Sequence, residues 1–96
     1  MKREKLNEAE IAAELAKLPG WSIAGGKLRR EFVCKDFVDA FGKMASVALE
    51  AEKMNHHPDW SNSWNKVTVE LVTHSAGGLT ALDFALAQKI TNIFGG

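Results

Sequence analysis

The spacing of apolar and polar residues changes character several times along the chain, and each change predicts an element. From about Glu8 to Leu18, Ile11, Leu15 and Leu18 recur at helical spacing, and Pro19-Gly20 stops the pattern. Asn7 is placed to cap this helix, with Glu10 in the capping-box position and Leu6 and Ile11 as a hydrophobic staple. Trp21-Ser22-Ile23 reads as a short strand and Gly25-Gly26 as a turn. Leu28, Arg30, Phe32 and Cys34 then alternate with Lys27, Arg29, Glu31 and Val33 as the second strand of a β-hairpin.

Asp36 is a cap for a long helix running to about Asn55. Phe37, Phe41, Met44, Ala48 and Ala51 form its expected core stripe, widened by Val38, Ala45 and Leu49, with breadth to spare for a subunit interface. Helical geometry must end near His57, because the residue before Pro58 is pushed toward extended conformations. Asp59–Trp64 and Val67–Thr73 read as two strands around Asn65-Lys66, and Gly77-Gly78 as the next turn. Thr80 caps a last helix in which Leu79, Leu82, Leu86, Ile90 and Ile93 recur at helical spacing. The order helix, strand, strand, helix, strand, strand, helix predicts an α+β domain, an antiparallel sheet with helices packed against it.

Composition narrows the function classes. Ninety-six residues suit a single domain, 1–96, with one modest core. Twelve Lys and Arg balance twelve Asp and Glu, which argues against an electrostatic nucleic-acid binder and leans toward oligomerisation. The single Cys34 excludes an intramolecular disulfide framework and a cysteine-based zinc site; with no basic partner in view it reads as an inert thiol. No apolar run approaches the ~20 residues of a membrane span and no signal peptide opens the chain, so a cytoplasmic protein is expected.

All three histidines fall between positions 56 and 74. If the long helix persists to His56, Glu52 stands one turn away on the same face, where a carboxylate orients an imidazole. With Asn65-Lys66 as a two-residue turn, Trp60 faces Leu71 and His57 faces His74. Trp60, Trp64, Val67, Val69 and Leu71 then share the core side, with His57, Asp59, Ser61, Thr68, Glu70 and His74 on the other. Neighbouring imidazoles near neutral pH can take one proton while giving another, which is what elimination of water requires. A metal site can be drawn from the same residues.

Glu52-Lys53-Met54-Asn55-His56-His57-Pro58-Asp59-Trp60, followed by Trp64-Asn65-Lys66-Val67, His74, Gly77-Gly78-Leu79-Thr80 and Asp83, resembles the signature of the pterin-4a-carbinolamine dehydratases. Leu18-Pro19-Gly20-Trp21, Lys35-Asp36-Phe37 and Ala40-Phe41-Gly42 extend the likeness over nearly the whole chain; Trp64 departs from it, standing where that family more often has tyrosine. The resemblance implies a four-stranded antiparallel sheet, and dehydration of 4a-hydroxytetrahydropterin to quinonoid dihydropterin in tetrahydrobiopterin recycling, with no metal or organic cofactor. It implies His56 and His74 as acid/base residues, His57 as a histidine that mainly helps bind the pterin, Glu52 as the carboxylate beside them, and Trp21 and Asp83 near the substrate. By spacing, Asp83 also reads as the carboxylate reciprocating the Thr80 cap, and Trp21 as a core plug. As to partners, it implies a pterin substrate and a homodimer or homotetramer built partly through helix packing. Two rival readings remain: a protein-binding module acting as a transcription-factor dimerisation cofactor, and a metal protein using His56, His57, His74 and a carboxylate.

Overall fold

The computed structural model describes residues 3–96. Helices α1 (Glu8–Leu15), α2 (Phe37–Met54) and α3 (Ala81–Phe94) alternate with two hairpins, β1 (Ser22–Ala24) with β2 (Lys27–Val33) and β3 (Asp59–Ser63) with β4 (Lys66–Leu71). All neighbours pair antiparallel in the order β1-β2-β4-β3, the expected α+β arrangement of a four-stranded sheet and three helices.

Local chemistry sets most boundaries. Asn7 and Glu10 form the reciprocal capping box of α1, and the Asp36 carboxylate accepts the Asp39 N–H at the start of α2. Thr80 and Asp83 form the capping box of α3. Helix α1 ends earlier than the periodicity predicts: beyond Leu15 the chain tightens into turns, with Lys17 and Leu18 N–H groups reaching back only three residues.

Alternation divides the sheet cleanly. Leu28 and Phe32 of β2 and Val67, Val69 and Leu71 of β4 face inward, where they meet Ala40, Val47 and Ala51 of α2 and Leu86, Ala87 and Ile90 of α3. Across the outer face run rows of polar partners: Arg29, Glu70 and Asp59 in one, Glu31, Thr68 and Ser61 in the next.

Two expectations are corrected. The β3–β4 turn is Trp64-Asn65, not Asn65-Lys66, so Trp60 lies opposite Val69 rather than Leu71, and His57 and His74 are not a cross-strand pair. An even displacement leaves every strand residue on its expected face. Trp64, however, leaves the core side for the turn, where it is exposed with φ 51°. The stripe on α2 is likewise redistributed. Ala40, Met44, Val47, Ala51 and Met54 pack inward, whereas Phe37, Val38, Phe41, Ala45, Ala48 and Leu49 face out. The helix is apolar over most of its circumference, so periodicity does not say which stripe the sheet takes.

A tryptophan held in the left-handed region carries strain that asparagine tolerates far better. Trp64→Asn is therefore expected to raise stability by about 1 kcal/mol, read as a higher urea midpoint with an unchanged denaturant slope; an unchanged midpoint would contradict the strain.

Candidate active site

The site begins where α2 stops. Asn55 adopts φ 50°, a left-handed cap that asparagine accepts more readily than most residues, while the His56 N–H still reaches Ala51 O at 3.1 Å. This break sends the adjacent histidines to different surroundings. His56 turns inward, 6% exposed, whereas the His57 side chain is 59% exposed.

His56 Nε2 lies 2.5 Å from Asp83 Oδ1. Asp83 is fully buried and satisfied from three elements: its Oδ2 accepts the Thr80 N–H at 2.9 Å and the Thr73 hydroxyl at 2.8 Å. Thr73 Oγ1 is also 2.8 Å from Thr80 Oγ1, which accepts the Leu82 N–H. No buried polar side-chain atom among the described residues is left without a partner. With Asp83 as the accepting carboxylate, Nε2 carries the histidine hydrogen and only Nδ1 remains for proton exchange.

His57 Nε2 contacts Glu52 Oε1 at 2.8 Å, an exposed pair. His74 opens a single 3-10 turn, His74–Ala76, held by the Thr73–Gly78 bridge, and its Nε2 lies 3.6 Å from Asp59 Oδ2. Each imidazole thus turns Nε2 toward a carboxylate of its own. All three histidines line one cavity of about 340 Å³, together with Arg3, Asp59 and Thr73. That volume is at the lower end of the range for small-molecule sites, roughly 300–1,000 Å³. A larger apolar cavity, about 460 Å³ between α1 and α3, contains none of this chemistry. Among the described residues, no three or more His, Cys, Asp or Glu side chains group as metal ligands would.

The predicted residues separate into those the fold assembles and those it does not. His56, His57 and His74 meet in the cavity. Glu52 is the partner of His57, not of His56, because the helix ends before His56. Asp83, fully buried, serves as cap of α3 and as partner of His56. Trp21 is not among the residues lining this cavity: it is buried against Phe32, with its indole N–H donating to Thr91 Oγ1 at 2.8 Å. Thr73 was missed, having no signal beyond its place next to His74. Asp59 as the partner of His74 was also missed, although alternation puts it on the same face. Arg3, whose Nη2 donates to Asn55 O at 2.9 Å, was not singled out either.

Fold and site together define a small α+β protein in which one cavity gathers three imidazoles, each facing a carboxylate. Burial pushes the Cys34 thiol above its ordinary value. The chain belongs to the pterin 4 alpha carbinolamine dehydratase family, a family of hydro-lyases, whose model matches residues 4–93. It is 55% identical to a protein of Mesorhizobium japonicum provisionally named pterin-4-alpha-carbinolamine dehydratase, over the full length of each. A Solibacter usitatus protein given the same provisional name is 49% identical, over 96% of this chain and 97% of its own. The crystal structure of a Brucella melitensis protein described as a transcriptional coactivator/pterin dehydratase superposes with TM-score 0.90 at 46% identity, covering 94% of this chain and 98% of that one.

The two firmest histidine–carboxylate contacts differ in what they contribute to the fold. Asp83→Ala strands His56, Thr73 and the Thr80 N–H in the interior and is expected to cost about 3–5 kcal/mol. Glu52→Ala removes an exposed pair and is expected to cost less than ~1 kcal/mol. Urea unfolding of the two variants checks the contrast; equal losses would contradict it.

Proposed function

We propose that this protein catalyses dehydration of a 4a-hydroxytetrahydropterin to the quinonoid dihydropterin and water, in tetrahydrobiopterin recycling. The observation that carries the reading is His56, buried at the cavity with Nε2 fixed on Asp83, beside His57 and His74. In the reaction the C4a–O bond breaks, the hydroxyl leaves as water after receiving a proton, and loss of the N5 proton lets the electron pair form C4a=N5. One imidazole, of His56 or His74, gives the first proton and the other takes the second; exchange with solvent resets both. His57, paired with Glu52, helps bind the pterin. No cofactor takes part in these steps. No helix among the described residues is long and apolar enough to cross a membrane.

The exposed stripe on α2 supports self-association. Val38, Phe41, Ala45 and Ala48 follow one another at spacings of three and four residues, flanked by Phe37 and Leu49, the pattern of a helix-packing seam. The protein is accordingly a homodimer or homotetramer joined through α2. Leu49→Glu is expected to shift the mass measured by light scattering to a smaller species, and an unchanged mass would remove α2 from the interface. A second reading, a module that binds another protein, is favoured by the coactivator description of the Brucella structure.

Stopped-flow absorbance decides between these readings. The parent protein is expected to accelerate dehydration over buffer, and His56→Ala and His74→Ala each to lose roughly 10²-fold or more of that rate. A folded parent that leaves the rate at the buffer value would favour the binding module. Parent-like rates in both variants would overturn the histidine mechanism.

A further inference from the structure

His56 and His57 make short hydrogen bonds to carboxylates supplied from the helices; His74 is held differently. Its backbone is fixed, because the Thr73 N–H meets Gly78 O at 3.1 Å and the Gly77 N–H meets His74 O at 3.0 Å. Its side chain, 76% exposed, has no comparable packing to fix the ring. The charged group within reach is Asp59, first residue of β3, whose Oδ2 lies 3.6 Å from His74 Nε2 and 3.4 Å from Lys27 Nζ. Lys27 opens β2, and β4 lies between β2 and β3, so its side chain reaches past β4 to that oxygen. Glu70, cross-strand neighbour of Asp59, has a cation of its own in Arg29 at 3.8 Å.

We propose that Asp59 is a positioning residue for His74, and that Lys27 acts through Asp59 by holding the carboxylate in place. This rests on the dehydratase reading of the cavity. At 3.6 Å the contact is an ion-pair approach, not a hydrogen bond, and such contacts tighten when substrate is bound or charge develops. A carboxylate facing Nε2 keeps a hydrogen on that nitrogen whether the ring is neutral or protonated. Nδ1 is then the nitrogen that exchanges the proton, as at His56. The Lys27 side chain is 33% exposed and that of Asp59 51%, so this partly solvated pair contributes little to folding. What it controls is the direction of the imidazole, and small misplacements of a proton-transfer group are costly in rate.

The test is a set of variants in the dehydration assay, with thermal melting alongside. Asp59→Asn is expected to lower kcat on the order of tenfold, with KM and melting temperature close to the parent. Asp59→Glu should restore part of the loss, and Lys27→Met should show a smaller loss that adds nothing in the Asp59→Asn background. In a His74→Ala background, Asp59→Asn should cost nothing further, because its effect passes through His74. Parent-like kcat in Asp59→Asn, or a full additional loss in the His74→Ala background, would overturn the proposal while leaving the dehydratase reading intact. A parent protein that does not accelerate dehydration would overturn that reading and this proposal with it.

Discussion

The buried carboxylate of Asp83 is the contact on which the site depends. It joins the exit of α2 through His56, the segment after β4 through Thr73, and the first turn of α3 through the Thr80 N–H. Burying a carboxylate and an imidazole together is costly unless their bonding positions are filled. Here two threonines and a helix terminus fill those of Asp83. The network that closes the core therefore also orients the histidine at the cavity. Stability and chemistry are not separable at this corner of the fold.

The other two histidines illustrate the opposite arrangement. His57 with Glu52 and His74 with Asp59 lie toward solvent, where such pairs add little to folding and the rings are directed by their carboxylates rather than by burial. One buried imidazole beside two exposed ones fits the proposed reaction, in which a flat substrate enters, exchanges two protons and leaves. The sheet contributes in a different way. Its outer face carries rows of polar and charged side chains, and the end of that face nearest the cavity supplies Asp59 and Lys27.

Much of this was legible in the chain, for identifiable reasons. The order of elements followed from caps such as Asn7, Asp36 and Thr80 and from strands that alternate strictly. The faces of β3 and β4 survived a misplaced turn because the displacement was even. The three histidines were expected to converge and do so. The partner of His56 was not legible, because it depends on whether α2 ends at Asn55 or a turn later; that one residue reassigns Glu52 from His56 to His57. Nor was the inner side of α2, where Phe41 and Leu49 are more hydrophobic than the Ala40 and Val47 that are buried. Trp21 matched the family pattern, and its place in this chain is against Phe32 and Thr91, within the core.

In the proposed reaction, Asp83 holds the hydrogen of His56 on Nε2 and leaves Nδ1 for proton exchange. Asp83→Asn tests this most directly, because the amide keeps the volume but offers a donor where Nε2 needs an acceptor, displacing the hydrogen to Nδ1. Single-turnover dehydration of 4a-hydroxytetrahydropterin by the folded variant should be slower than the parent by roughly 10²–10⁴-fold. A folded Asp83→Asn variant that turns over at the parent rate would contradict the account.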